Sequence, residues 1–254
     1  MFLKKSFLFI AVVLLLSSCV SKKNVIYFQN DNENKSLKLE KYELKFKKND
    51  LLTINVSSSN LIAVKNYNLP IVAYNSIVNS VNGVPKQQSY LIDSKGNIQF
   101  PELGELKLEG LTRVESIKLI EGKIRPYVND VTVNIQILNF KINVLGDVSK
   151  PGTFIIENER ATVIDALALA GDTNISGERI IEVKREANDR LTTGLIDLKS
   201  NKMFSSPYFY LQQNDIVYVK PNTAKVQSAS YNQNTGLYIS IASVLISLIS
   251  ILTR

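Results

Sequence analysis

The strongest constraint on this chain is the placement of its uncharged apolar runs, one at each end. Phe7 to Leu16 and Leu237 to Leu252 contain no charged residue. A lone helix needs roughly 20 apolar residues to cross a hydrocarbon core about 30 Å thick. Both runs are shorter than that. As a helix the C-terminal run reaches about 24 Å at about 1.5 Å per residue, a length better suited to an outer membrane, which is thinner than average. It is bounded by the polar stretch Ser228 to Thr235 and by Arg254. The expectation is a transmembrane helix over residues 237–252.

The N-terminal run has the order of a secretory signal: Lys4 and Lys5, then the apolar stretch, then Ser17 and Ser18 as small residues at a cleavage point. Leu16-Ser17-Ser18-Cys19 resembles the lipobox of bacterial lipoproteins, in which the thiol receives a diacylglyceryl group. The competing reading is an ordinary signal or a short membrane helix. Cysteine usage favours lipid: Cys19 is the only cysteine, no internal disulfide can form, and a lone thiol in an exported protein needs an explanation. Residues 1–18 are therefore expected to be a signal peptide and Cys19 the lipidation site. Val20 rather than Asp after the cysteine leans towards the outer membrane.

Composition narrows the function class. The net charge is +7, and a cluster of lysines at 35, 38, 41, 45, 47 and 48 supplies part of the excess. Glu40, Glu43 and Asp50 dilute it and no series of stacking aromatics follows, so a nucleic-acid partner is not expected. A solvated face is the default, with attraction to an acidic polymer as the alternative. The chain has no histidine and no tryptophan. With Cys19 destined for lipid, the commonest general base, metal ligand and thiol nucleophile are all missing. A carboxylate pair would still serve a glycosidase, but none stands out. No catalytic residue, cofactor or metal site is expected, and the reading is not an enzyme.

The C-terminal run is not uniform around its axis. Gly236, Ser240, Ser243, Ser247, Ser250 and Arg254 fall within about 80° of arc in a helix turning about 100° per residue. Close helix packing through small residues is one reading. A ring of helices turning hydroxyls to a wet lumen is the other.

Between the ends the pattern is short strands with two helices. Leu51 to Val56 and the alternating Val131 to Ile137 read as strands. Tyr90-Leu91-Ile92 and Ile98-Gln99-Phe100 read as a hairpin around Asp93 to Gly96. Thr112 with Glu115 and Thr162 with Asp165 have capping spacing, opening helices that stop near Pro126 and Gly171. Lys150-Pro151-Gly152-Thr153 predicts a type II turn between strands Ile142–Gly146 and Phe154–Ile156. Strands at Ile180–Lys184, Thr193–Asp197 and Ile216–Val219 follow. The order is α+β rather than alternating βαβ.

Several ordered pieces resemble the outer-membrane polysaccharide export (Wza-type) lipoprotein family. Tyr42-Glu43-Leu44 to Asn49-Asp50-Leu51-Leu52-Thr53-Ile54 is similar to the opening of its export domain. Asp93 to Gly96, Phe100-Pro101, Leu103-Gly104 and Gly110-Leu111-Thr112 are similar to its hairpin and helix start. Val144 to Val148, Pro151-Gly152, Asp165-Ala166-Leu167, Ala170-Gly171 and Asn214-Asp215 resemble a β-grasp (SLBB) repeat. Asn49 and Asp172 depart from the family, which usually has glycine there.

The resemblance implies a division into a lipidated lead (19–40), an export domain (41–138), one β-grasp domain (139–221), a linker (222–236) and a transmembrane helix (237–252). It further implies a homo-oligomeric ring with surface polysaccharide as cargo. Ser240, Ser243, Ser247, Ser250 and Arg254 would then line a pore. The implied partner is an inner-membrane polysaccharide co-polymerase, often a tyrosine kinase, with soluble domains in the periplasm. The rival is a periplasmic polysaccharide-binding or scaffold lipoprotein with a plain C-terminal anchor.

Overall fold

The computed structural model describes residues 22–29, 42–72, 86–158, 160–187, 190–229 and 235–252. The signal peptide, Cys19 and Arg254 lie outside them. Two bodies follow one another along the chain, each with its own buried apolar cluster.

The first body begins with β1 (Leu51–Ser57), α1 (Leu61–Val64), β2 (Ile71–Val72), β3 (Lys86–Gln87) and β4 (Tyr90–Leu91). It continues with β5 (Asn97–Phe100), β6 (Gly104–Lys107), α2 (Arg113–Ile124) and β7 (Thr132–Ile137). β1 is central to a three-stranded sheet, antiparallel to β4 on one side and β7 on the other. Alternation sets the inward face. Leu52, Ile54 and Val56 of β1 lie opposite Ile137, Ile135 and Val133 of β7, and all but Ile137 are fully buried. Helix α2 covers that face with Ile120 and Ile124, both with no exposed surface. Its start is fixed by a capping box: Thr112 accepts from the Glu115 amide while Glu115 accepts from the Thr112 amide.

The expected hairpin between 90–92 and 98–100 does not form. The turn is present, with the Asp93 amide donating to Asn97 O and Gly96 at φ 83°. The strands on either side nevertheless part. β4 pairs with β1, and β5 turns forward to pair with β6. Ile92 and Ile98 are both nearly fully buried. Burial rather than the turn selects their partners, because a turn fixes only local direction.

The second body contains β8 (Lys141–Gly146), β9 (Gly152–Ile155), β10 (Ala161–Thr162), α3 (Val163–Leu169), β11 (Gly177–Ala187), β12 (Arg190–Asp197), β13 (Tyr210–Leu211) and β14 (Ile216–Pro221). Its five-stranded sheet runs β12-β11-β14-β8-β9. A hairpin, a helix and a second hairpin come first, and the last strand then inserts between the hairpins, parallel to β8. Val217 and Val219 of β14 are fully buried at this centre. Val163, Ala166 and Leu167 of α3 join the same cluster. The expected type II turn at 150–153 is absent, since Gly152 does not take the positive φ that turn needs. Gly146, at φ 94°, bends the chain instead, where a β-carbon would meet the Val219 carbonyl.

Beyond β14 come α4 (Thr223–Ala229) and α5 (Thr235–Leu252). The transmembrane expectation for 237–252 is corrected here: no helix among the described residues is long and apolar enough to cross a membrane. Helix α5 has 18 residues, about 27 Å at about 1.5 Å per residue, under the roughly 30 Å of a typical core. The segment is helical, and it packs on neither body.

Candidate functional site

Three places in this fold carry more than packing: helix α5, the end of the second body from which it departs, and the junction between the bodies.

Every large apolar side chain of α5 is exposed in the single chain, from Leu237 at 59% through Ile246 at 68% to Leu252 at 84%. So continuous an apolar surface requires a cover from outside the chain. The sequence-predicted residues Ser240, Ser243, Ser247 and Ser250 all lie on α5, with Arg254 beyond the described helix. Three of the hydroxyls are not open donors. Ser240 donates to Gly236 O at 2.8 Å, Ser243 to Ser240 O at 2.8 Å and Ser247 to Ser243 O at 2.9 Å. A serine bonded back to its own helix hides its donor and keeps lone pairs outward. This face is therefore tolerable beside another helix as well as beside water.

The second body holds segment 25–29 and the start of helix α4 at one pole. Segment 25–29, part of the expected lipidated lead at 19–40, docks on this body. The amides of Phe28 and Gln29 donate to Leu198 O and Lys199 O at 3.1 and 2.7 Å. Tyr27 Oη donates to Asp172 Oδ1 at 2.7 Å, and the Arg179 guanidinium lies over its ring and donates to Val25 O. Helix α4 leaves from the same end: the Asn222 amide donates to Ser176 O at 2.7 Å. Lys225 Nζ reaches Asp147 Oδ1 at 2.7 Å. Burial would raise the Asp147 carboxyl, but hydrogen bonds from Lys225, then Ser176 and Asn174, overcome it and hold the carboxyl at about 2. Asn24 and Val25 share one groove with Asn222 and Lys225. Nothing in the local sequence signals this docking, because it depends on partners roughly 150 residues away along the chain.

At the opposite end of the second sheet, two equivalent turns face one another across the junction. Asn49 and Asn214 are both left-handed, at φ 68° and 66°. Asp50 Oδ2 accepts from the Lys47 amide and Asp215 Oδ2 from the Gln212 amide, each at 2.8 Å. Asn139 clasps the first turn, donating to Asn49 O at 2.8 Å and accepting from the Leu51 amide at 2.9 Å. Gln213 of the second turn donates in turn to Asn139 O. Lys47 Nζ crosses to Gln212 Oε1 at 2.7 Å. Asp215 is matched by Arg185, whose Nε and Nη2 reach its two oxygens at 3.1 and 2.7 Å. Asp50 has no such partner: it is 2% exposed, and its Oδ1 has no hydrogen-bond partner among the described residues. Burial pushes its carboxyl up to about 6 against the pull of the Lys47 amide and ammonium.

The first body, with the turn at Asn49-Asp50 and the capped helix α2, falls within the part of the chain that resembles known proteins. Residues 39–138 match the family described as polysaccharide biosynthesis/export protein, so the resemblance read from Tyr42 to Thr112 holds for this part of the chain. Two curated relatives share 33% identity over 97 and 98 residues. They are the EPS I polysaccharide export outer membrane proteins EpsA of Ralstonia solanacearum and Ralstonia nicotianae. Each alignment covers 37% of this chain and 26% of the relative. The chain thus matches about a quarter of the length of these relatives.

Proposed function

We propose that this chain is an outer-membrane subunit of an oligomeric translocon that passes a capsular or extracellular polysaccharide to the cell surface. The observation carrying this reading is the export domain at 39–138 joined, through a second body, to an uncovered apolar helix. On this reading Cys19 carries lipid and the soluble bodies face the periplasm. From Cys19 to Val25, and from Ala229 to Thr235, six residues reach at most about 20 Å. With both segments leaving one pole, the lipid and α5 serve the same membrane face. The second body is a single β-grasp (SLBB) domain, a reading supported by the last strand lying parallel to the first between two hairpins. The family resemblance further implies an inner-membrane co-polymerase, often a tyrosine kinase, as partner on the periplasmic side.

In the assembly, copies of α5 pack side by side, with Ser240, Ser243, Ser247, Ser250 and Arg254 lining a central lumen and Ile241, Leu245 and Leu248 set against neighbouring helices. The back-bonded hydroxyls of Ser240, Ser243 and Ser247 favour a second reading, a scaffold lipoprotein whose serine face only packs.

Deleting the gene and complementing with Ser247→Leu separates the two. A translocon loses surface polysaccharide on deletion and stays deficient with Ser247→Leu, although the oligomer still assembles. Unchanged polysaccharide in a clean deletion overturns the export role. Full rescue by Ser247→Leu overturns the lumen assignment and leaves the packing reading.

A further inference from the structure

The junction holds a cavity of about 260 Å³ that the export role does not use. One wall is apolar, from Leu44, Ile137 and Phe140, and the other carries Lys47, Asp50 and Gln212. Ligand pockets for drug-sized molecules run to about 300–1,000 Å³, so this cavity suits something smaller. We propose that it is a binding site for a single sugar ring, with the Asp50 carboxylate accepting a ring hydroxyl and the Lys47 ammonium donating to a second ring oxygen.

The chain shows what its own Asx turn requires. Asp215 occupies the equivalent turn and has both oxygens engaged by Arg185. Asp50 is as deeply buried, yet Oδ1 is left without a donor. Leaving a buried acceptor without a partner is costly, so an outside donor is favoured there. A second guanidinium is a poor candidate, because Lys45 and Lys47 already line the cavity and would repel it. A neutral O–H donor meets no such repulsion. The donor must also present an apolar face to Leu44, Ile137 and Phe140. A pyranose does both, with C–H groups on its faces and hydroxyls on its edge. Asp50 supplies an acceptor and Lys47 a donor, which is the pairing a vicinal diol needs.

This inference does not rest on the export reading and survives its failure. The test uses the purified mature chain, titrated calorimetrically with glucose, galactose, N-acetylglucosamine and glucuronate. Each is given both as the free sugar and as its β-1,4-linked disaccharide. At least one probe is expected to bind with a Kd on the order of 1 mM. Asp50→Asn keeps the Lys47 amide bond and should weaken binding about tenfold. Leu44→Phe fills the cavity and should abolish it. Lys47→Met provides a third variant should either of these lose its circular-dichroism signature. Free sugar binding as well as disaccharide marks a site for a free sugar or chain end. Disaccharide binding more tightly marks a segment of polymer as the natural ligand. No binding by any probe, or binding unchanged in every folded variant, overturns the site and assigns water as the partner of Oδ1.

Discussion

Asp50 and Asp215 share a turn but not an environment, and the difference should be measurable as pH-dependent stability. Burial raises the Asp50 carboxyl to about 6 in the fold, against about 3.9 for an unfolded aspartate. A raised carboxyl favours the folded state while it is protonated. Its contribution is therefore complete below about pH 4 and is lost as pH rises through about 6. The loss amounts to about 3 kcal/mol at most. Asp50→Asn should flatten the urea-midpoint profile between pH 4 and 7 and be more stable than the parent at pH 8. A parallel pair of profiles would show that the carboxyl is not perturbed. The turn itself was legible in the sequence, since Asn-Asp ahead of an apolar strand signals it. The missing partner was not, because that depends on where Arg185 lies in space. The two positions where the family usually has glycine are explained by backbone geometry. Asn49 and Asp172 are left-handed, at φ 68° and 69°, a conformation that costs most residues about 1 kcal/mol or more. Asp172 returns something glycine cannot, the acceptor for Tyr27 Oη.

Among the elements, those written in local chemistry were legible and those decided by distant contacts were not. Both helix starts carry the capping boxes that Thr112 with Glu115 and Thr162 with Asp165 announced. β1 and β7 alternate as their sequences do. The hairpin at 90–100 failed because buried Ile92 and Ile98 answer to two different sheets. Gly152 failed as a type II turn because it does not take the positive φ that turn needs. Helix α5 was legible as a helix and marginal as a span, and its length decides the matter. Its faces remain to be told apart by chemistry. Single cysteines at Ser243 and Ser247, in a Cys19-retaining background, should react with a small water-soluble thiol reagent added from outside. Those at Leu245 and Leu248 should be protected by lipid or neighbouring helices. Equal reactivity at all four positions would leave α5 as a plain anchor.

In the whole molecule the buried side chains fall into two apolar clusters, one in each body. The docking of segment 25–29 at the pole from which α4 leaves was not legible in the sequence. It rests on Arg179, Asp172 and Leu198 meeting residues 25–28 from the far end of the chain. The proposed anchor is tested on the intact protein. Material from the membrane fraction should begin at Cys19 and carry diacylglyceryl mass, and Cys19→Ser should stay uncut or leave the membrane. A full-length, lipid-free N-terminus in that fraction would sink the proposal.

The docked segment 25–29 has a mechanical consequence. A body hung from one flexible tether swivels freely about the membrane normal and must lose that rotation each time it meets a neighbour. Here residues 25–29 and helix α4 are clamped to the same end of one rigid sheet, through Tyr27, Arg179 and the Lys225–Asp147 pair. On the proposed attachment through Cys19 and α5, the body would be suspended at two points and would not spin. Its orientation would be set before any neighbour arrives, so part of the entropic cost of assembly would be met within the subunit. Loosening either clamp should slow the gathering of copies while leaving each copy folded.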